Sequence, residues 1–183
     1  MLAETIIIFT SDNGGAAYTD ATANGPLRGG KFTQFEGGLA VPLLIRWPDG
    51  IGRRDERVVL LTDLFATLLE DAGVPLPANR VFDAEPLQQE ASDRHLFWRS
   101  DFNLAVRWRG WKLLHDRRRG QSWLYDLDED PGETNDLASA NPELVKSLEA
   151  ALADWEQAMV PARWPRVMNY LHQDPMGEYW FAI

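Results

Sequence analysis

Hydrophobic positions follow three different periods along this chain. Residues 5–10 (TIIIFT) and 41–46 (VPLLIR) are nearly unbroken apolar runs. That is the pattern of strands buried on both faces, as inside a parallel sheet. The second run closes on Trp47-Pro48-Asp49-Gly50, a turn composition. From Asp63 the period becomes helical: Leu64, Phe65, Leu68, Leu69 and Ala72 share a face. Asp63 stands where an N-cap is needed, Gly73 at the C′ position, and Pro75 forbids continuation.

Past the irregular, proline-bearing stretch 75–89 the period drops to two. Residues 95–99 (HLFWR), 104–108 (LAVRW), 111–115 (WKLLH) and 122–127 (SWLYDL) predict short antiparallel strands, with Arg109-Gly110 as a hairpin turn. Asn141 and Pro142 open a helix over 141–160. Its stripe of Leu144, Leu148, Ala151, Leu152, Trp155 and Met159 should lie on the small sheet. The aromatic tail 161–183 is expected to wrap onto a partner surface. The pattern therefore predicts an α/β region over 1–90. A small α+β subdomain over 91–183 follows, with an antiparallel sheet, one packed helix and the wrapping tail.

Composition narrows the function classes. With 183 residues, 45% hydrophobic and 25% charged, the chain can build a sizeable core. A formal charge of −10 argues against broad binding to nucleic acid or to an anionic membrane. No run approaches the roughly 18 apolar residues of a membrane helix. There is no cysteine, hence no disulfide, thiolate zinc site or cysteine nucleophile in these residues. The compartment stays open between cytoplasm and an exported location. Eight tryptophans demand a large buried or binding surface, and alternation favours core packing over a sugar-binding platform for Trp98, Trp108, Trp111 and Trp123.

Between the two buried-type strands lies a long stretch, residues 11–38, holding seven glycines. Loops of that length tend to be functional or disordered. It contains Ser11-Asp12-Asn13-Gly14-Gly15, directly after a strand, where open α/β sheets place ligands. Asp12 and Asn13 carry hard oxygen donors suited to Ca²⁺ or Mg²⁺, although Asp-Asn-Gly is also ordinary turn chemistry. Asn24-Gly25-Pro26-Leu27-Arg28-Gly29-Gly30-Lys31 follows. Its glycines permit close backbone approach to an anion, and Arg28 and Lys31 bring positive charge. A surface loop with solvated charges is the alternative, and Arg28 is equally suited to a loop-anchoring ion pair. Glu36 reads as an internal hydrogen-bonding partner rather than a general base. Asp126, Asp128, Glu129 and Asp130 lack the spacing of a calcium loop and read as a solvated acidic turn.

Taken in order, SDNGG, NGPLRGGK, FEGGLAVPLLIRWP and DLFATLLEDAGVP resemble the C-terminal half of the sulfatase family, within the alkaline-phosphatase superfamily. The segments LFWR, AVRWRGWKLL and WLYDLDEDPGETNDLA resemble its C-terminal subdomain. The resemblance extends to about residue 160. It implies, for residues 1–90, part of a mixed sheet sandwiched by helices. It also implies metal ligation by Asp12 and Asn13, usually of calcium, and contact of Lys31 with sulfate oxygens, with Arg28 as a weaker candidate. The family's nucleophile is a formylglycine made from the Cys or Ser of a C/S-x-P-x-R motif. None of the six serines begins that motif. His95, His115 and His172 match no catalytic position and read as structural or surface residues.

The expected role is thus a C-terminal fragment of a calcium-dependent sulfatase acting on sulfate monoesters. It would be inactive alone and partnered by an N-terminal half or a longer parent chain. Two alternatives stand: a non-catalytic module binding Ca²⁺ or a sulfated ligand, and a related metal-dependent phosphatase or phosphodiesterase.

Overall fold

The computed structural model describes residues 4–183 apart from 20, 49, 51, 53, 91 and 165. Contacts gather the chain into two compact units, residues 1–50 with 95–183, and residues 51–94. That grouping differs from a division near residue 90, because the glycine-rich loop packs on the later sheet.

The first unit is built on a four-stranded antiparallel meander. Its strands are β3 (Leu96–Ser100), β4 (Asn103–Trp108), β5 (Trp111–Asp116) and β6 (Gln121–Asp126), in the order β3-β4-β5-β6. Arg109, at φ 54°, makes the β4–β5 turn in register with the Trp108↔Trp111 pair. Side chains alternate as a pleat requires. Leu104, Val106, Leu113 and Leu124 face one way, onto Leu148 and Leu152 of the helix Pro142–Ala158. Ala105, Leu114 and Tyr125 face the other way, onto Phe35, Tyr179 and Phe181. Pro142 occupies the first turn of that helix, as its fixed φ favours.

The tail departs from expectation. Strands β7 (Asn169–Asp174) and β8 (Gly177–Ala182) form a hairpin whose Tyr179 and Phe181 enter this chain's own core. Asn103 clamps it, donating to the Trp180 carbonyl (2.8 Å) and accepting from the Ala182 N–H (2.8 Å). The apolar residues of 161–183 are therefore divided. Those of the hairpin are consumed internally, while Trp164, Val167 and Met168 stay exposed.

Strands β1 (Ile7–Thr10) and β2 (Leu43–Arg46) pair antiparallel as a two-stranded sheet, not as neighbours in a parallel one. One face is open, with the paired Phe9 67% and Leu44 58% exposed, and the other, carrying Ile8 and Ile45, is only half-buried. The described residues supply no further strands to bury these side chains. Asp49, in the expected turn at 47–50, lies outside the described residues. A short helix α1 (Glu36–Leu39) precedes β2.

The second unit holds α2 (Asp63–Asp71). Thr62, not Asp63, is its N-cap, and the buried Asp63 carboxylate instead accepts the N–H groups of Leu60 and Glu85 and pairs with Arg94. Gly73 at φ 66° ends the helix: Val74 bonds back to Leu69 and Gly73 to Glu70. Phe65 and Leu68, on the expected apolar face, remain exposed. Among the described residues no helix is long and apolar enough to cross a membrane.

Candidate functional site

The long loop after β1 is folded back on itself by its backbone. Gly14 donates its N–H to the Gly38 carbonyl (3.0 Å), and the Gly15 carbonyl accepts the Lys31 N–H (3.0 Å). A Cβ on Gly14 would stand 1.7 Å from the Gly37 oxygen, so only glycine permits this closure. Asn24 acts as the bracket. Its amide donates to the carbonyls of Gly15 and Gly29 (3.0 Å each), and its Oδ1 accepts the Gly15 N–H (2.9 Å). The SDNGG and GGK segments, far apart in sequence, are thereby joined at Gly15 and Lys31.

Three candidate side chains leave this junction without a polar partner among the described residues. Asp12 is exposed and Asn13 half-exposed. Lys31 is half-exposed, its Nζ 5.6 Å from the centre of the Phe32 ring. A carboxylate and an amide carbonyl are hard donors that fit a calcium ion. Calcium takes six to eight oxygens, and no described group of three or more His, Asp or Glu gathers at one point. The donor set is therefore compatible with a share of a calcium shell, not with a whole one.

Arg28 is turned inward. Its Nε and Nη2 donate to the Asp174 carboxylate (2.6 and 2.9 Å), and Nη1 donates to the Tyr125 hydroxyl (3.2 Å) and the Glu133 carbonyl (2.8 Å). Four of its five N–H donors are spent this way. The guanidinium also lies over the rings of Phe35 (4.1 Å) and Tyr179 (4.3 Å). Of its two sequence readings, the loop-anchoring ion pair is the one formed. Burial alone would lower the Arg28 pKa, but the Asp174 carboxylate and the neighbouring Tyr179 and Tyr125 side chains outweigh that and raise it. Burial likewise opposes ionisation of Asp174, and Arg28, His172 and the Met176 N–H together hold its carboxyl below the usual range.

Glu36 is a second anchor, as an internal partner. Its carboxylate accepts from Lys112 (2.8 Å) and Arg107 (3.0 Å), and its backbone N–H donates to Glu133 Oε2 (2.6 Å). Lys112 Nζ also lies 3.0 Å from Glu133 Oε1, and both side chains are fully buried. Burial raises the Glu133 carboxyl, and Lys112 offsets this only in part. Pattern does not single out Lys112, Glu133 or Asp174, and it marks Asn24 only as the first residue of the NGPLRGGK segment. Lys112 does carry a signal: it shares the inward face of β5 with Leu114, where a charge must be paired.

The remaining candidates are structural. His95 stacks on Phe97 and Trp108, His115 pairs with the Ser122 hydroxyl (2.8 Å), and His172 with Asp174 (3.0 Å). In the acidic turn, the Asp130 carboxylate is bound within its own loop by Thr134 and Asn135.

Comparison with known proteins decides the family. The sulfatase family model matches residues 1–74, relatives and structural neighbours are sulfatases, and the match is to a C-terminal portion. The chain belongs to the sulfatase family. It is 30% identical to the N-acetylgalactosamine-6-O-sulfatase of Bacteroides thetaiotaomicron, over 81% of this chain and 35% of that protein. It is 29% identical to mouse steryl-sulfatase, over 97% of this chain and 36% of that protein. Among solved structures it superposes on Ps i-CgsB, crystallised with k-i-k-neocarrahexaose. There the TM-score is 0.76 at 27% identity, over 87% of this chain and 38% of the other. The chain thus spans about a third of the length of the sulfatases it matches.

Proposed function

We propose that this chain contributes metal ligands and a sulfate contact to a calcium-dependent sulfate-ester hydrolase whose nucleophile lies outside these residues. The observation that supports this best is the Gly15–Lys31 junction, from which Asp12, Asn13 and Lys31 all emerge with unengaged polar ends. Asp12 and Asn13 would hold the calcium, together with ligands from a longer parent chain or an N-terminal half. Bound there, the ion would neutralise charge on the sulfate oxygens and at the leaving oxygen. Lys31 would hold a non-bridging sulfate oxygen as a point charge. Arg28 and Glu36 hold the loop and take no part in the chemistry. Similarity to the N-acetylgalactosamine-6-O-sulfatase and the steryl-sulfatase supports a sulfate monoester as the substrate class.

The test is turnover of 4-nitrophenyl sulfate with added Ca²⁺. The chain alone should be inactive. Co-production with a sulfatase N-terminal half carrying C-x-P-x-R should restore turnover, and Asp12→Ala or Lys31→Ala should abolish it. Turnover by the chain alone, or a reconstituted enzyme indifferent to both substitutions, would overturn the proposal.

A further inference from the structure

Beside Lys31 stands an aromatic corner in which Tyr170 packs against the core while Tyr18 and Phe32 extend from it to the surface, and the proposed chemistry does not require it. Tyr18 stacks on Phe32 with ring centres 5.3 Å apart and planes 24° from parallel. Tyr170, from β7, is tilted against both, at 5.7 and 6.0 Å. Tyr18 is 47% exposed and Phe32 37%, so the corner is open to solvent. Neither tyrosine hydroxyl has a hydrogen-bond partner among the described residues.

Phe32 has φ 78°, in the left-handed region that a bulky residue occupies only under strain. Glycine would sit there without strain, and what covers the phenylalanine ring is Tyr18 and Tyr170 of the same corner, with 37% of the residue left exposed. Strained positions of this kind collect where a ligand is handled. The cation is adjacent, with Lys31 Nζ over the same Phe32 ring. An anion held on Nζ carries its ester oxygen and first carbon outward, within reach of these rings. A planar apolar platform edged by two free hydroxyls suits the C–H face and hydroxyls of a sugar ring. A purely apolar leaving group would leave both hydroxyls unused.

We infer that Tyr18, Phe32 and Tyr170 form a stacking subsite for the saccharide ring that bears the sulfate ester, with Lys31 on the sulfate. This rests on the reading of Lys31 as a sulfate contact, and the experiment separates the two. The isotopically labelled chain is titrated with inorganic sulfate, galactose 6-sulfate and hexyl sulfate while the backbone amides of Lys31 and Phe32 are followed by NMR. Galactose 6-sulfate should bind roughly fivefold or more tighter than inorganic sulfate, the worth of one or two ring contacts. Phe32→Gly, which relieves the strain, and Tyr18→Leu, which keeps an apolar contact, should each bring it back to the level of inorganic sulfate. Thermal melts check that both variants stay folded. Equal affinity for inorganic sulfate and the sugar sulfate would overturn the subsite and leave the sulfate contact standing. An equal gain from hexyl sulfate would overturn the choice of a saccharide. No response to any probe would overturn the sulfate contact and the subsite together.

Discussion

Replacing Lys112 by methionine tests whether the later sheet holds the candidate site in place. Methionine keeps most of the volume and removes the charge. Lys112 lies between Glu36 (2.8 Å) and Glu133 (3.0 Å) and is fully buried. Without it Glu36 keeps Arg107, whereas Glu133 loses its one described cationic partner. Removing one member of a buried pair costs about 3–5 kcal/mol, because the other charge is left desolvated. For a chain this long that is a fall of roughly 6–20 °C in Tm.

The pH dependence gives the prediction a second edge. Burial already raises the Glu133 carboxyl above 4.5 against the pull of Lys112, and the substitution must raise it further. A carboxyl raised on folding contributes stability below its unfolded pKa and loses it as the pH rises through the folded value. The penalty of Lys112→Met should therefore be largest at neutral pH and shrink as the pH falls toward 4.5. Adding Glu133→Gln, which can still accept the Glu36 N–H, should recover stability instead of costing more. Urea unfolding of wild type, both single variants and the double variant, at neutral and mildly acidic pH, measures all of this. Hydrogen exchange at the Gly14 amide reports whether the loop closure loosens with the anchor. A Lys112→Met cost under about 1 kcal/mol, a pH-independent penalty, or strict additivity would refute the reasoning.

Other outcomes follow from the same geometry. Arg28→Lys keeps the charge but loses the fork on Asp174 and the stacking on Phe35 and Tyr179, and should cost about 2–3 kcal/mol in urea unfolding. Because the Asp174 carboxyl is held below 3.8, its contribution is present above that pH and is lost as the pH falls through the folded value. Asp174→Asn should accordingly flatten the acid limb of a stability–pH curve. Gly14→Ala forces a methyl against the Gly37 oxygen and should cost about 2 kcal/mol or more, with faster exchange at the Lys31 amide. Phe9→Thr should change stability by less than about 0.5 kcal/mol yet reduce concentration-dependent association in light scattering, since Phe9 is 67% exposed and its cross-strand partner Leu44 is exposed as well.

What pattern reveals in this chain is what is periodic. Strands β3 to β6 are legible because alternate residues meet opposite cores, Leu104 and Val106 one, Ala105 the other. The helix Pro142–Ala158 is legible because Leu148 and Leu152 recur at its period on the sheet's far face. The hairpin at β7–β8 is not. Pro175 and Met176 make its turn between the paired Asp174 and Gly177, but the aromatic residues of 161–183 show no period that separates buried Phe181 from exposed Trp164. The environment of β1 is equally illegible, since an apolar run states a demand for burial but not what meets it.

The candidate site shows the same division. Asp12, Asn13 and Lys31 stand out by motif, because their chemistry is local. Their anchors do not, because each is a pairing across the fold: Arg28 with Asp174, Glu36 with Lys112, and Asn24 bridging Gly15 to Gly29. One charged anchor runs from the glycine-rich loop to strand β7 and the other from α1 to strand β5, and they bracket Lys31 in sequence. That arrangement accounts for residues 1–50 grouping with 95–183. It also separates the cations by task. Arg28 and Lys112 are neutralised inside the structure, while Lys31 has no described carboxylate partner. A formal charge of −10 for the whole chain therefore says little about the junction, where the unpaired side chains are one carboxylate, one amide and one ammonium. An anion reaching that junction meets a positive charge already freed from internal pairing, and its affinity should depend on Lys31 alone among these three cations.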